Sequence, residues 1–162
     1  MGKSFEYNFQ GEIIHECEYN GNKMKRIYKG KLTFDGEYLN GKIWNAKGYD
    51  ENGNVTYEIK DGKGIKRDYN TNRKLVFEGE YLNGERNGKG KEYNAKGELT
   101  FEGEHLNGKR WNGKGKEFHY ADLIFEGEYL DGRRWNGIGK EFNEWGREIE
   151  FEGTYLNGQK NK

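Results

Sequence analysis

Polar and apolar positions alternate with a period of two along much of this chain, most clearly from residue 77 onward. In LTFEGEHL (99 to 106), Leu99, Phe101, Gly103 and His105 fall on one side of an extended chain, and Thr100, Glu102, Glu104 and Leu106 on the other. One side is aromatic and the other acidic. A glycine between two rings leaves a gap over which a ring from the adjacent strand can lie. A second strand, Lys114 to Phe118, follows after a loop, so each unit is predicted to be a β-hairpin. No stretch shows the helical period.

The pattern recurs. Counting from the first aromatic of each copy, units start at Phe34, Tyr57, Phe77, Phe101, Phe125 and Phe151, with spacings of 23, 20, 24, 24 and 26 residues. A degenerate earlier copy, HECEYNGNK, starts at His15. Self-similarity at such spacings marks a repeat array, in which each hairpin is marginal alone and is stabilised by its neighbours. The expected fold is therefore all-β: an elongated, twisted, single-layer antiparallel sheet of consecutive hairpins. We expect one repeat domain over 1–162, with a degenerate N-terminal repeat or cap at 1–33, hairpins over 34–150 and a C-terminal half-repeat cap at 151–162 that ends after its first strand.

Two kinds of connection alternate. DENG (50 to 53), NTNR (70 to 73), NAKG (94 to 97) and HYAD (119 to 122) read as four-residue turns, with NEWGRE (143 to 148) as a longer version. The other kind, NGKRWNG (107 to 113) and DGRRWNG (131 to 137), reads as basic loops opened and closed by Asn-Gly or Asp-Gly. A meander places the two kinds along opposite edges. Glu78, Glu80, Glu102, Glu104, Glu126 and Glu128 are expected to face Lys89, Lys91, Lys114, Lys116 and Lys140 across strands, a modestly stabilising charge ladder. A one-residue slip would move rings onto the charged side, so register is well specified.

Composition narrows the reading. Leu, Ile, Val and Phe make up only about 18% of the chain, yet aromatics reach 15%, and 28 basic residues balance 28 acidic ones. Disordered chains are poor in rings and carry net charge, so the core here is expected to be built mainly of rings. The 26 glycines and absence of proline suit many tight turns. Cys17 is the single cysteine, so no internal disulfide forms and a cytoplasmic location is expected. The start shows no apolar run of signal or membrane-spanning length. Glu6 stands where a myristoylation signal needs a hydroxyl residue, so lipidation is not expected.

Phe-Glu-Gly-Glu-Tyr-x-Asn-Gly followed by Asn-Gly-Lys-Gly closely resembles the MORN repeat over about residues 15 to 162, most strongly from 77 to 158. The resemblance implies an elongated sheet used as a scaffold or docking module. Family members include junctional membrane proteins, plant phosphoinositide kinases, cytoskeletal scaffolds and a histone methyltransferase, usually with a separate functional domain; none is visible here. Leu after the second aromatic, and Lys-Glu-aromatic where the family commonly has a Thr-Tyr strand, lean toward a bacterial variant found in antitoxin-like proteins.

No set of residues assembles an active site on sequence grounds. His105 occupies the place of Tyr81 and Tyr129 and is expected to pack like them, and Cys17 replaces a glycine. The stretch from Asp68 imitates a calcium loop, but Arg73 stands at its turn glycine and Gly79 at its bidentate glutamate. The Gly-x-Gly of NGKGKE leads into a strand instead of a helix, and the paired glutamates recur as a structural ladder. We therefore expect no enzyme activity, no cofactor and no metal. The candidate partner-binding residues are Trp44, Lys109, Arg110, Trp111, Arg133, Arg134 and Trp135, because Trp and Arg dominate binding hot spots and spaced copies act multivalently. Each Trp reads either as an exposed contact or as a lid over the rings. The expected function is a non-enzymatic scaffold that binds a partner protein through its aromatic face and Arg/Trp edge and neutralises a toxin or effector in a narrower version. Peripheral phospholipid binding is the alternative, nucleic acid ranks below both because acidic ladders interrupt the basic surface, and edge strands offer a route to a homodimer.

Overall fold

The computed structural model describes residues 1–120, 122–143 and 148–162. Fifteen strands form a single sheet among the described residues, each antiparallel to its neighbours in sequence and to no others. They are β1 (Gly2–Tyr7), β2 (Ile13–Asn20), β3 (Lys23–Tyr28), β4 (Lys31–Leu39), β5 (Lys42–Tyr49), β6 (Val55–Lys60), β7 (Lys63–Tyr69) and β8 (Leu75–Leu82) in the first half. The second half contains β9 (Glu85–Tyr93), β10 (Leu99–Leu106), β11 (Lys109–His119), β12 (Asp122–Leu130), β13 (Arg133–Phe142), β14 (Ile149–Leu156) and β15 (Gln159–Asn161). The all-β, single-layer array expected from the period of two is what the chain forms. The last unit does not end after one strand, because Gln159–Asn161 returns as β15 against β14.

Both edges are built by local turn chemistry. Along one edge the turns are only two residues long: Asn107 and Gly108 both have positive φ, 49° and 81°, as do Asp131 and Gly132, 50° and 74°. This is the mirror-image turn whose twist matches the strands, and Asn-Gly or Asp-Gly meets its φ requirement. NGKRWNG and DGRRWNG are consequently not loops, and Lys109 and Arg133 already open β11 and β13. Along the other edge, Asp50, Asn70 and Asn94 each close a turn with backbone bonds to the residues three and four positions on, and each side-chain oxygen accepts further backbone N–H groups. The NEWGRE and HYAD connections include residues 144–147 and 121, which lie outside the described residues.

The core occupies one side of the sheet. Phe34, Phe77, Phe101, Phe125 and Phe151 are at most 6% exposed. They reach this burial in one layer because each ring lies on glycine backbone. A Cβ at Gly103, Gly113 or Gly115 would come within 3.0 Å of the Phe101 ring, and one at Gly90 within 2.8 Å of Phe77. Between the phenylalanines stand Tyr81, His105, Tyr129 and Tyr155, also buried. Edge-to-face contacts link them without a gap, from Phe77–His105 (5.2 Å) and His105–Phe101 (5.0 Å) to Phe101–Tyr129 (5.6 Å), Tyr129–Phe125 (5.3 Å) and Phe125–Tyr155 (5.5 Å). His105 thus packs as its tyrosine counterparts do. Leu99 departs from the expected ring side: an irregularity between it and Phe101 leaves it exposed.

Tyr57, the equivalent of Phe77 when counted from the first aromatic, pairs with Gly48 as Phe77 pairs with Asp68, and its ring covers the Gly48 backbone.

The opposite side carries the ladder. Lys91–Glu102 (3.0 Å), Lys116–Glu126 (3.0 Å) and Lys140–Glu152 (2.8 Å) face each other across strands. Lys89 does not join it; the Glu80 carboxylate instead accepts the Lys89 backbone N–H at 3.1 Å.

Candidate functional site

The three tryptophans singled out in the sequence share one backbone feature. Glu104 pairs with Asn112 and His105 with Arg110, so Trp111 is an extra residue in β11. Trp135 is extra between Asn136 and Arg134 in β13, and Trp44 between Asn45 and Ile43 in β5. Such bulges bend the strand and re-aim a side chain. Here they aim each indole at the next turn: the six-membered rings of Trp44, Trp111 and Trp135 lie against Gly62, Gly132 and Gly158. The same turns are tied down by backbone bonds, since the N–H groups of Gly62, Gly132 and Gly158 donate to the carbonyls of Trp44, Trp111 and Trp135 at 2.7, 3.0 and 2.9 Å. The following asparagine completes the clip, with Asn112 Oδ1 accepting the Asp131 N–H and its amide donating to Glu104. Asn45 and Asn136 repeat both contacts. The tryptophans are therefore half-buried brackets between successive turns, neither lids over the rings nor freely projecting contacts.

Arg110 and Arg134 fold back over the rings. Arg110 lies 4.9 Å above Phe101 and donates to Glu92 through Nε (2.9 Å) and Nη2 (2.7 Å). Arg134 lies 4.9 Å above Phe125 and donates to Glu117 through Nη2 at 2.6 Å. Each carboxylate also accepts from the neighbouring ring: Tyr129 donates to Glu117 at 2.5 Å, and His105 Nε2 lies 2.9 Å from Glu92, whose acceptor-only carboxylate requires the proton on that nitrogen. Asp68 with Tyr81 (2.6 Å) and Arg86 (3.1 Å), and Glu141 with Tyr155 (2.6 Å) and Lys160, repeat the set. Four successive repeats thus close their ring layer with an acid, a ring donor and a cation.

The electrostatics follow from that closure. Burial alone would push the Glu92 carboxyl up, but hydrogen bonds from His105 and Arg110 outweigh it and hold the group at about 2. Asp68 and Glu117 are lowered against the same burial, by Lys66 and Tyr81 and by Arg134 and Tyr129 respectively. Burial, followed by the bond to a carboxylate, raises the Tyr81 and Tyr129 hydroxyls.

Lys109 and Arg133 are exposed and make no ion pair among the described residues. Each stands directly across from a leucine, Leu106 or Leu130. The sequence-derived set therefore splits into turn brackets (Trp44, Trp111, Trp135), ring caps (Arg110, Arg134) and free basic groups (Lys109, Arg133). Sequence reasoning missed two further groups. One is the acids under the arginines, whose signal was the recurring Lys-Glu-aromatic. The other is a row of leucines, Leu39, Leu82, Leu106, Leu130 and Leu156, each beside an Asn-Gly or Asp-Gly turn and 37–59% exposed, with Lys60 in the corresponding place before Asp61-Gly62. Their signal was the Leu after each second aromatic.

No helix among the described residues is long and apolar enough to cross a membrane. No protein-family model matches the chain and no curated protein matches it, so its architecture rests on its own period and strand register.

Proposed function

We propose that this chain is a non-enzymatic repeat scaffold that captures a partner protein along its Asn-Gly edge. The leucine row carries the reading. Single exposed leucines are ordinary, but two strands per repeat set Leu82, Leu106, Leu130 and Leu156 in succession about 10 Å apart, with Lys109 and Arg133 across from two of them. A partner that engages several at once gains affinity multivalently. From Phe77 onward the phenylalanines of the repeats and the rings between them are buried, so the docking surface proposed there is the leucine-bearing side. The recurrence of one acid–ring–cation set in four repeats supports a structural role for those charged groups over an acid/base one.

The likeness to the MORN repeat and its antitoxin-like variant supports a narrower form, in which the partner is a toxin or effector enzyme neutralised by binding. Affinity capture from the source cells tests the broad form. Proteins retained by the native chain are expected to be lost with Leu106→Ser and Leu130→Ser combined with Lys109→Glu and Arg133→Glu; equal retention would overturn it. Growth rescue on coexpression with neighbouring gene products decides the narrower form. The indoles are engaged with turn glycines and the chain has no net charge, so no cosedimentation with anionic vesicles is expected.

A further inference from the structure

In the N-terminal half the acid–ring–cation set is broken, and a cavity of about 450 Å³ opens on the ring side of the sheet. We propose that this cavity binds a small organic acid, whose carboxylate takes the place held by Asp68, Glu92, Glu117 and Glu141 in the other repeats.

The internal comparison identifies what is missing. In those repeats the acid pairs across the strand with a phenylalanine: Asp68 with Phe77, Glu92 with Phe101, Glu117 with Phe125 and Glu141 with Phe151. The residue across from Phe34 is Arg26. Tyr38 retains the tyrosine, but across from it stands Ile43 where Arg86, Arg110 and Arg134 provide the cap. An acid has been replaced by a cation and a long cap by a short one.

Unfilled donors remain. Tyr81, Tyr129 and Tyr155 each donate to a carboxylate, whereas the hydroxyls of Tyr38 and Tyr57, both lining the cavity, have no hydrogen-bond partner among the described residues. Arg26 spends Nη2 on Glu6 at 2.9 Å, and its buried Nε has no partner. Arg73 also reaches the cavity, held by the largely exposed Glu51 at 3.5 Å. The other acids on the wall are engaged: Glu6 by Arg26 and His15, Asp50 by its own turn, and Asp68 by Lys66, Tyr81 and Arg86. The unengaged polar groups thus include the donors of Tyr38, Tyr57 and Arg26, beside the buried Nδ1 of His15, which suits an acceptor-only ligand.

Phe34, Ile43 and the tyrosine rings supply apolar walls for a flat body, and the volume lies in the range of small-molecule sites. The cavity is on the opposite side of the sheet from the leucine row, so the inference stands apart from the docking reading.

The test is an amide-resolved NMR titration of the full chain with benzoate and with 3-phenylpropionate, each against its own amide. At about 10 mM, a ligand of even millimolar affinity approaches saturation. Both acids are expected to shift residues around 26, 38, 43, 57 and 73 while leaving 99 to 142 unmoved, and the amides to bind at least about tenfold more weakly. Combining Tyr38→Phe with Tyr57→Phe removes two donors without changing the cavity's shape and should weaken the acids by about tenfold or more. Ile43→Arg restores the cap of the other repeats and should abolish binding; if that variant does not fold, the phenylalanine pair decides alone. Absence of shifts with both acids, equal binding of acid and amide, or undiminished binding by the phenylalanine pair would overturn the proposal.

Discussion

The repeats from Phe77 to Lys160 and those before Phe77 share one register but solve the burial problem differently. In the later repeats glycine faces glycine across the sheet, as Gly103 does with Gly90 and Gly113, and phenylalanine rings lie down over the resulting troughs. In the earlier ones Met24 and Ala46 flank Gly36, Tyr57 covers Gly48, and Ile59 is buried with Phe34 in an aliphatic and aromatic cluster. The later half adds an acid, a ring donor and a cation to every repeat; the earlier half keeps these groups only in part. The lesson is that the sheet tolerates exchange of core fillers, but loss of the acid and the long cap leaves an open cavity. A sealed half and an open half thus coexist in one array.

The largest effect expected from this contrast is on the rings themselves. Phe101→Ala removes a fully buried ring and should cost about 3–5 kcal/mol. Phe5→Ala, on the half-exposed edge strand β1, should cost under about 1 kcal/mol. Urea unfolding of both variants checks this, and equal losses would mean the two halves are packed alike.

Next comes the polar closure. Glu92→Gln leaves the half-buried Arg110 without its counter-charge and should cost about 2–3 kcal/mol. The same carboxyl gives the pH dependence its sign. Its folded value, about 2, lies below its ordinary 4.5. The stabilisation is therefore complete above about 4.5 and is lost as pH falls toward 2. Asp68 and Glu117 are shifted in the same direction. Hydrogen exchange at stepwise lower pH should show strands β8 to β13 losing protection through this window, and Glu92→Gln should flatten that loss around β9 to β11.

Smaller still is the bracket. Trp111→Ala should cost about 1–2 kcal/mol, read as faster exchange of the Gly132 amide with little change elsewhere. An unchanged Gly132 amide would mean the indole does not hold the turn. Smallest is the exposed ladder: Lys91→Ala should leave the unfolding midpoint unmoved although its ion pair measures 3.0 Å, because solvent screens it. A clear drop would make the charged side as important as the rings.

The period, the two kinds of edge and the side that buries its rings were all legible in the sequence, because alternation and turn residues act locally and recur in every unit. The bulges were not. An extra residue such as Trp111 interrupts the alternation, so KRWNG resembles polar loop sequence although it opens a strand. Counting from the first aromatic likewise placed Tyr57 with Phe77 but could not show that Gly48 lies across from it where Asp68 faces Phe77, since that depends on the partner strand.

The candidate site was legible only as a list of residue types. Arg110 reads as an outward basic group until β9 lies two strands away and presents Glu92, 18 residues earlier, beneath it. Lys109, its neighbour in sequence, points to the other side and remains free. By itself, the sequence determined a meander of hairpins with aromatic and charged sides, since a period of two leaves an extended chain no other way to separate its rings from its charges. Tertiary structure decided which cations cap rings, which indoles hold turns and where a cavity opens, because those choices depend on bulge-shifted register between strands that meet only when the sheet is assembled.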